Sequence, residues 1–326
     1  MSDGATHLPR HDRWRSPRRA APARAQSATK IPRVGVLLFG TPDTDPSLKS
    51  FRAGLRDLGH VEGKTIALEF HYAGGKPERL PDLARDLVGT KPDVIFALGG
   101  DVAPFVRTAT TTIPIVVAVS NDPVQSGLVA TLARPGGNLT GVTFVSSDLV
   151  AKRMQLLKEI VPAISRVGVL WNPDHIDPEY RETQGAGLAL GVAVHSLEVR
   201  GPSDLDRAFR AAAGARVEAI VVVSSRLLLV NQQPIMEMAT RHRLVLVGGM
   251  GAWPQAGALF SYGPDLDVLV RQAATDVDKV LKGARPGDIP IVQPTKFELI
   301  INRKTAKTLG LTIPPSLLQR ADQVIE

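Results

Sequence analysis

Cysteine is absent from the 326 residues, which excludes disulfides, thiolate metal sites, a cysteine nucleophile and a lipidated N-terminal cysteine. Aromatic residues make up only 5%, so an aromatic at the end of a strand stands out. No apolar run approaches the roughly 20 residues that a transmembrane helix needs. Signatures of chemistry are missing as well: there is no G-x-x-x-x-G-K-[ST] loop, no G-x-G-x-x-G after a strand, no H-E-x-x-H and no G-x-S-x-G. His60, His71, His175, His195 and His242 are scattered without metal-ligand spacing and are expected at solvated or edge positions. Ser224-Ser225 has no evident base partner, so nucleophilic catalysis has no support. The sequence predicts no catalytic residues, no metal and no cofactor.

A surplus of one charge sign is also missing from most of the chain. The formal net charge is +7, but residues 1–33 hold eight Arg or Lys against two Asp, a net of +6, which leaves +1 for the remainder. A nearly neutral body does not carry the footprint of a phosphate backbone, and no nucleic-acid partner is expected. The arm over residues 1–32 is polar and rich in Arg and Pro, the composition of a disordered segment. Its end, APARAQS, has a small-x-small pattern at Ala23-Arg24-Ala25 with Arg18-Arg19 upstream, yet the apolar stretch of about 7–15 residues that an export signal carries between such features is missing.

From residue 33 the pattern alternates strand and helix with short loops. RVGVLLF opens it, and Asp45-Pro46 offers a helix cap followed by Leu48, Phe51, Leu55 and Leu58 at helical spacing up to Gly59. TIALEFH, DVIFAL and IPIVVAV are further strands, the last at residues 113–119. After it, SNDPVQSGLVATLARPGGNLTG is expected to form one short amphipathic helix from Pro123, stopped by Pro135-Gly136-Gly137-Asn138. The pattern then restarts, for RVGVL at residue 33 recurs verbatim at residue 166 and a second series of strand–helix units follows. Such alternation predicts an α/β protein with parallel sheets covered by helices on both faces. The repeat predicts two Rossmann-like lobes joined by a hinge. Residues 33–143 with about 264–290 are expected in the first lobe and 144–263 in the second. Residues 291–326 add a strand and two short helices to a lobe the sequence does not decide.

Doubly wound folds bind ligands at the carboxyl ends of their strands, and those ends are consistently polar here. Phe39, Thr41, Asp101, Ser120, Asn121 and Asp122 are the ligand-facing candidates of the first lobe. Trp171, Asn172, Ser224, Gly249 and Tyr262 are those of the second. Asp101 and Asp122 suit an ammonium group through charge-assisted hydrogen bonds, although Asp122 before Pro123 reads first as a cap. Phe39, Trp171 and Tyr262 offer stacking faces. Phe39 and Trp171 end the two repeated strands and are expected at equivalent places.

At residues 122–141 the pattern D-P-V-x-x-G-L-V-A-x-L-A-R-P-G-G-N-L-T-G resembles the hallmark of the ABC transporter substrate-binding proteins of tryptophan and tyrosine type. FRAGLRDLGHVEGKTI, ERLPDLARDLV, KPDVIFALG, LLKEIVPAISRVGVLWNPD and INRKTAKTLGLTIPPSLLQRAD match in the same order, so the resemblance spans residues 30–326. It implies a type I periplasmic-binding fold with three crossovers and a hinge-closing cleft. It also implies capture of a small organic solute, an aromatic amino acid or related aromatic acid, for the transmembrane subunits of an ABC permease, by a periplasmic monomer without enzymatic activity. The chain departs from the pattern at Ser224-Ser225, where relatives commonly carry Asp or Asn. The competing readings are the effector domain of a transcription regulator, which needs a DNA-binding module that residues 1–33 do not offer, and an α/β transferase using the same cleft.

Overall fold

Short runs of β-branched and aliphatic residues become inner strands that bury both faces, as parallel sheets with helices on either side require. The computed structural model describes Met1, Gly4 and residues 31–326 apart from Thr44 and Ile176. The disordered arm and signal-like segment expected over residues 1–32 therefore lie almost wholly outside the described residues. The first sheet contains β1 (Arg33–Leu38), β2 (Ala67–Tyr72), β3 (Val94–Leu98), β4 (Ile115–Val119) and β5 (Leu139–Thr143). They are all parallel, in the order β2-β1-β3-β4-β5. The second sheet takes β6 (Arg166–Trp171), β7 (Ala193–Glu198), β8 (Ala219–Val222), β9 (Val245–Gly248) and β10 (Phe260–Pro264) in the matching order β7-β6-β8-β9-β10. Beyond β10 it is extended by β11 (Phe297–Asn302), antiparallel to β10, and by β12 (Gln323–Ile325), parallel to β11.

The verbatim repeat thus falls on the same inner strand of both sheets. Its glycine has a packing reason: a Cβ on Gly35 would sit 2.5 Å from Leu87, and one on Gly168 would sit 2.4 Å from Leu197. In each lobe a leucine lies directly on the strand backbone. Along β1 and β3, alternate residues face opposite layers. Val34, Val36, Leu38, Val94 and Phe96 meet the helices Ser47–Asp57 and Leu266–Leu281, with the rings of Phe51 and Phe96 stacked at 4.0 Å. Leu37, Ile95 and Ala97 face the helices Leu80–Gly89 and Ala103–Ala109. Burying one such large apolar side chain contributes about 1.5–3 kcal/mol.

The chain passes between the lobes three times: after β5, after β10, and between residue 292, bridged to Val142, and β11. At the first passage Val145 takes φ 46°, ψ 43°, a left-handed conformation that is costly for a β-branched residue. The surrounding bonds that hold it there belong to the site described below.

The helix expected after Pro123 does not form; residues 121–137 run through turns. Asp122 Oδ1 accepts from the backbone N–H of Val124 and Gln125 at 2.7 and 3.3 Å, and Ser126 Oγ donates to the Asp122 carbonyl at 2.8 Å. Gly127 then adopts φ 71°. These local bonds compete with the helical ladder and win. The equivalence of Phe39 and Trp171 is also corrected. β1 ends at Leu38 and β6 at Trp171, so Leu38 holds the place of Trp171 and Phe39 falls one residue later. One step along a strand turns a side chain to the other face; Phe39 is buried in the core while Trp171 stays partly exposed.

Candidate functional site

Strand ends of the two sheets face each other, and polar residues on their loops meet directly across the gap. The loop after β1 carries Asp45, whose Oδ1 accepts from Ser47 N at 3.0 Å; the helix begins at Ser47 with Pro46 in the cap position, so Asp45 lies one residue ahead of the cap that the sequence suggests for it. Its other oxygen pairs with the guanidinium of Arg226 from the second lobe, and Arg226 Nη1 lies 3.5 Å from Ser47 Oγ. The loop after β3 carries Asp101. One of its oxygens accepts from the backbone N–H of Arg226 and Leu227 at 2.9 and 3.4 Å. The other pairs with His175 Nδ1. His175 Nε2 lies 3.2 Å from Ser120 Oγ on the loop after β4. These pairs hold the lobes in contact, so the structure is a closed state.

The histidine expected in solvent is therefore in the interior: the His175 side chain is 1% exposed. Burial opposes its charge, but the Asp101 carboxylate and the nearby Asp177 outweigh that, and its pKa is pushed up to about 10. For Asp101, burial acts upward, yet the His175 charge and the backbone donors of Arg226 and Leu227 hold the carboxyl below its ordinary value.

Behind this contact lies a second ion pair, Arg153–Glu179, with both side chains 0% exposed. Glu179 accepts from Ser224 N at 2.8 Å, and Arg153 also donates to the carbonyl of Ser146 in the first passage between the lobes. Arg153 thereby braces the residue that follows the left-handed Val145. Burial, partly offset by Arg153 and reinforced by Asp177, raises the Glu179 pKa.

Two cavities flank the cross-lobe contact. One of about 440 Å³ is lined by Asn121, Asp122, Trp171, His175, Asp177 and Tyr180, with the rings of Trp171 and Tyr180 stacked at 4.2 Å and 9°. The other, about 400 Å³, is lined by Ser47, Leu229, Ser261 and Asp265 among others. A larger cavity, about 830 Å³, is lined by residues of the first lobe alone, along the helix Ser47–Asp57 and residues 60–68. The 440 Å³ cavity combines residues of both lobes, an aromatic wall and buried carboxylate chemistry, and it is the candidate site. Among the described residues, no cluster of three or more His, Asp or Glu is placed to hold a metal ion.

Of the residues singled out in the sequence, Asn121, Asp122 and Trp171 line this cavity, and Asp101 and Ser120 bind His175 beside it. Asn172 shapes its wall, because Oδ1 accepts from Asp174 N at 3.0 Å and its carbonyl from His175 N at 3.1 Å. Thr41 holds the loop of Asp45 through its carbonyl, 3.1 Å from Asp45 N. Ser224 and Gly249 lie further in; a Cβ on Gly249 would sit 2.8 Å from Ser224 Oγ and 3.3 Å from Arg153. Tyr262 leans towards Phe297, with ring centroids 6.3 Å apart, and lines none of the three cavities. Asp45, Arg153, Asp177, Glu179 and Arg226 were not legible as site residues. Arg226 offered one signal, a lone cation between Ser225 and an apolar LLLV run.

Gly99 tests the closed contact. It adopts φ 119°, and a Cβ there would lie 2.3 Å from Arg226 Cγ. Gly99→Ala adds strain where L-residues rarely go and blocks the seat of Arg226. Small-angle scattering is expected to give a larger radius of gyration for Gly99→Ala than for the wild type; identical curves would refute the role assigned to this glycine.

A family profile described as "ABC transporter substrate binding protein" matches residues 34–325. The chain is 27% identical over 273 residues to a tyrosine-binding protein from Clostridioides difficile strain R20291, covering 83% of this chain and 78% of that protein. It superposes with a TM-score of 0.83 on an ABC domain from Streptococcus pneumonia in complex with L-Trp, at 25% identity and covering 90% and 99% of the two chains. With the ligand-free, open structure of a Clostridium difficile substrate-binding protein with adhesive properties, the coverage is the same 90% and 99%, the identity is 24% and the TM-score is 0.61.

Proposed function

Because the chain belongs to the family of ABC transporter substrate-binding proteins, we propose that it captures an aromatic amino acid in the 440 Å³ cavity and presents it, as a closed monomer outside the cytoplasmic membrane, to its permease. The observation that carries this reading is the stacked pair Trp171–Tyr180 in a cavity shared by both lobes. A flat ring between the lobes gains area burial together with favourable stacking geometry. The relatives named for tyrosine and bound to L-Trp support the same solute class.

The cross-lobe contact explains how capture and signalling join. A solute shifts the open–closed equilibrium only as far as it prefers the closed state. Asp45, Asp101, Ser120, His175 and Arg226 supply bonds that exist only when the lobes meet. The permease then meets one rigid shape. No bond of the solute needs to break in this role, and the chain works without enzymatic chemistry.

Thermal unfolding with L-tyrosine, L-tryptophan and L-phenylalanine tests the proposal. A solute at one hundred times its Kd stabilises the folded chain by about 2.7 kcal/mol. At least one of the three is expected to raise the midpoint in a dose-dependent way and to change Trp171 fluorescence. Midpoints that stay flat for all three at millimolar concentration would refute the assignment of the solute class.

A further inference from the structure

We infer that Val145 is a loaded hinge: its left-handed backbone belongs to the shut cleft alone, and the strain it carries there drives the lobes apart again. Among the described residues four non-glycines have positive φ. Lys91, Arg216 and Arg243 come just after the helices Leu80–Gly89, Leu205–Gly214 and Gln232–Arg241, where a left-handed residue is a common way to end a helix. Val145 has no helix before it. It is β-branched and buried, with φ 46° and ψ 43°, in the first passage between the lobes. Over residues 260–270 and 289–300, which hold the other two passages, no residue has positive φ. The strain is therefore confined to one of the three connections.

The anchors on either side locate the pivot. Phe144 N donates to the Val119 carbonyl at 2.9 Å and ties the chain to the first lobe. The Ser146 carbonyl accepts from Arg153 of the second lobe, which is locked on Glu179. Few soft dihedrals lie between these anchors, those of Val145 at their centre, so a rotation of one lobe against the other is absorbed there. Two bonds hold Val145 in its unfavourable region. Val145 N donates to Thr143 Oγ1 at 3.3 Å, and Ser146 N donates to the Ser120 carbonyl at 3.1 Å. Thr143 Oγ1 itself donates to the Asn121 carbonyl at 2.7 Å. Ser120 is also the residue whose hydroxyl meets His175 across the gap, so the strained turn and the cross-lobe contact are built on one loop. When the lobes part, Ser146 leaves Ser120 together with Arg153, and Val145 returns to the extended region that a β-branched residue prefers. Only the closed state carries the cost. The cleft then stays shut only for a solute whose preference for the closed state exceeds that cost, whatever its chemistry.

Single-molecule energy transfer on the full, solute-free chain tests the hinge. The chain has no cysteine, so Arg85→Cys and Arg207→Cys, at exposed positions of the two lobes, carry the dyes without competing labelling. Dwell times in the closed and open states give their ratio. Asparagine tolerates the left-handed region and glycine adopts it freely. Val145→Asn and Val145→Gly are therefore expected to raise the closed-to-open ratio about 5- to 30-fold, the range for relieving one left-handed backbone. Val145→Thr keeps the β-branch and is expected to stay within twofold of the wild type. A ratio for Val145→Asn that is within twofold of the wild type, or below it, overturns the inference. So does a Val145→Thr protein that gains as much as Val145→Asn, since loss of the valine's packing would then explain the effect. Should Val145→Asn fail to fold, Val145→Gly is held to the same limits.

Discussion

Arg153→Met is expected to lower the thermal midpoint by roughly 10 °C. The substitution removes the one cation paired with Glu179 among the described residues and leaves that carboxylate, 0% exposed, in the interior of the second lobe. Breaking a buried pair from one side costs about 3–5 kcal/mol, and a chain of this size loses on the order of 2–4 °C per kcal/mol. The same change releases the Ser146 carbonyl beside left-handed Val145, so the first passage between the lobes loses a brace as well. Glu179→Gln is expected to cost less, since burial already shifts Glu179 towards its neutral form and an amide oxygen still accepts from Ser224 N. The double variant should recover part of the loss, because neither charge is then stranded. Differential scanning calorimetry on the three variants decides it: a midpoint for Arg153→Met within 2 °C of the wild type would show that the pair carries no stability.

The cleft is expected to close most firmly in mildly acidic solution and to loosen as the pH rises from about 6.5 towards 10. In the closed state burial works against the charge of His175, but Asp101 and Asp177 dominate and its pKa rises from 6.5 to about 10. In an open cleft the ring is solvated and keeps its ordinary value. A group whose pKa is raised on closing contributes in full below the open-state value and loses that contribution as the pH passes through the closed-state value. At about 1.4 kcal/mol per pKa unit, the full effect is on the order of several kcal/mol. Asp101 sets the other limit. Its pKa is lowered from 3.8 on closing, despite burial, by His175 and the donors at Arg226 and Leu227, so its contribution is present above 3.8 and fades as the pH falls through the lower value. Scattering curves recorded between pH 5 and 10 should show an expanding radius of gyration above neutrality in the wild type and a flat profile for His175→Asn. An equal radius at pH 6 and pH 10 in the wild type would refute the linkage.

The order of strands and helices was legible because it rests on periodicity and on residues close in the chain. Alternating apolar runs marked the strands of both lobes, and Pro46 and Gly59 bracketed the first helix. The repeated RVGVL marks the equivalent inner strand in two sheets of like topology. Local chemistry was also enough to foresee that Asp122 satisfies neighbouring N–H groups, although it caps a turn where a helix was expected. Asp122, Ser126 and Gly127 each favour short-range bonds, and together they outweigh the amphipathic helical pattern.

The candidate site divides along the same line. Strand-end composition pointed to Asn121, Asp122 and Trp171, which share a cavity, since any polar residue after a parallel strand lies near the same edge of the sheet. It did not reveal Asp45 with Arg226, 181 positions apart, or His175 with Ser120, 55 apart. A lone histidine or arginine in the sequence looks like a solvated one until its partner is known. By itself, the sequence determined the α/β layering, the doubling of the lobes and the polar edge that each presents. Which carboxylate meets which cation across the cleft was decided only when the two sheets were brought face to face, because burial and charge pairing belong to distances in space and not to spacing along the chain.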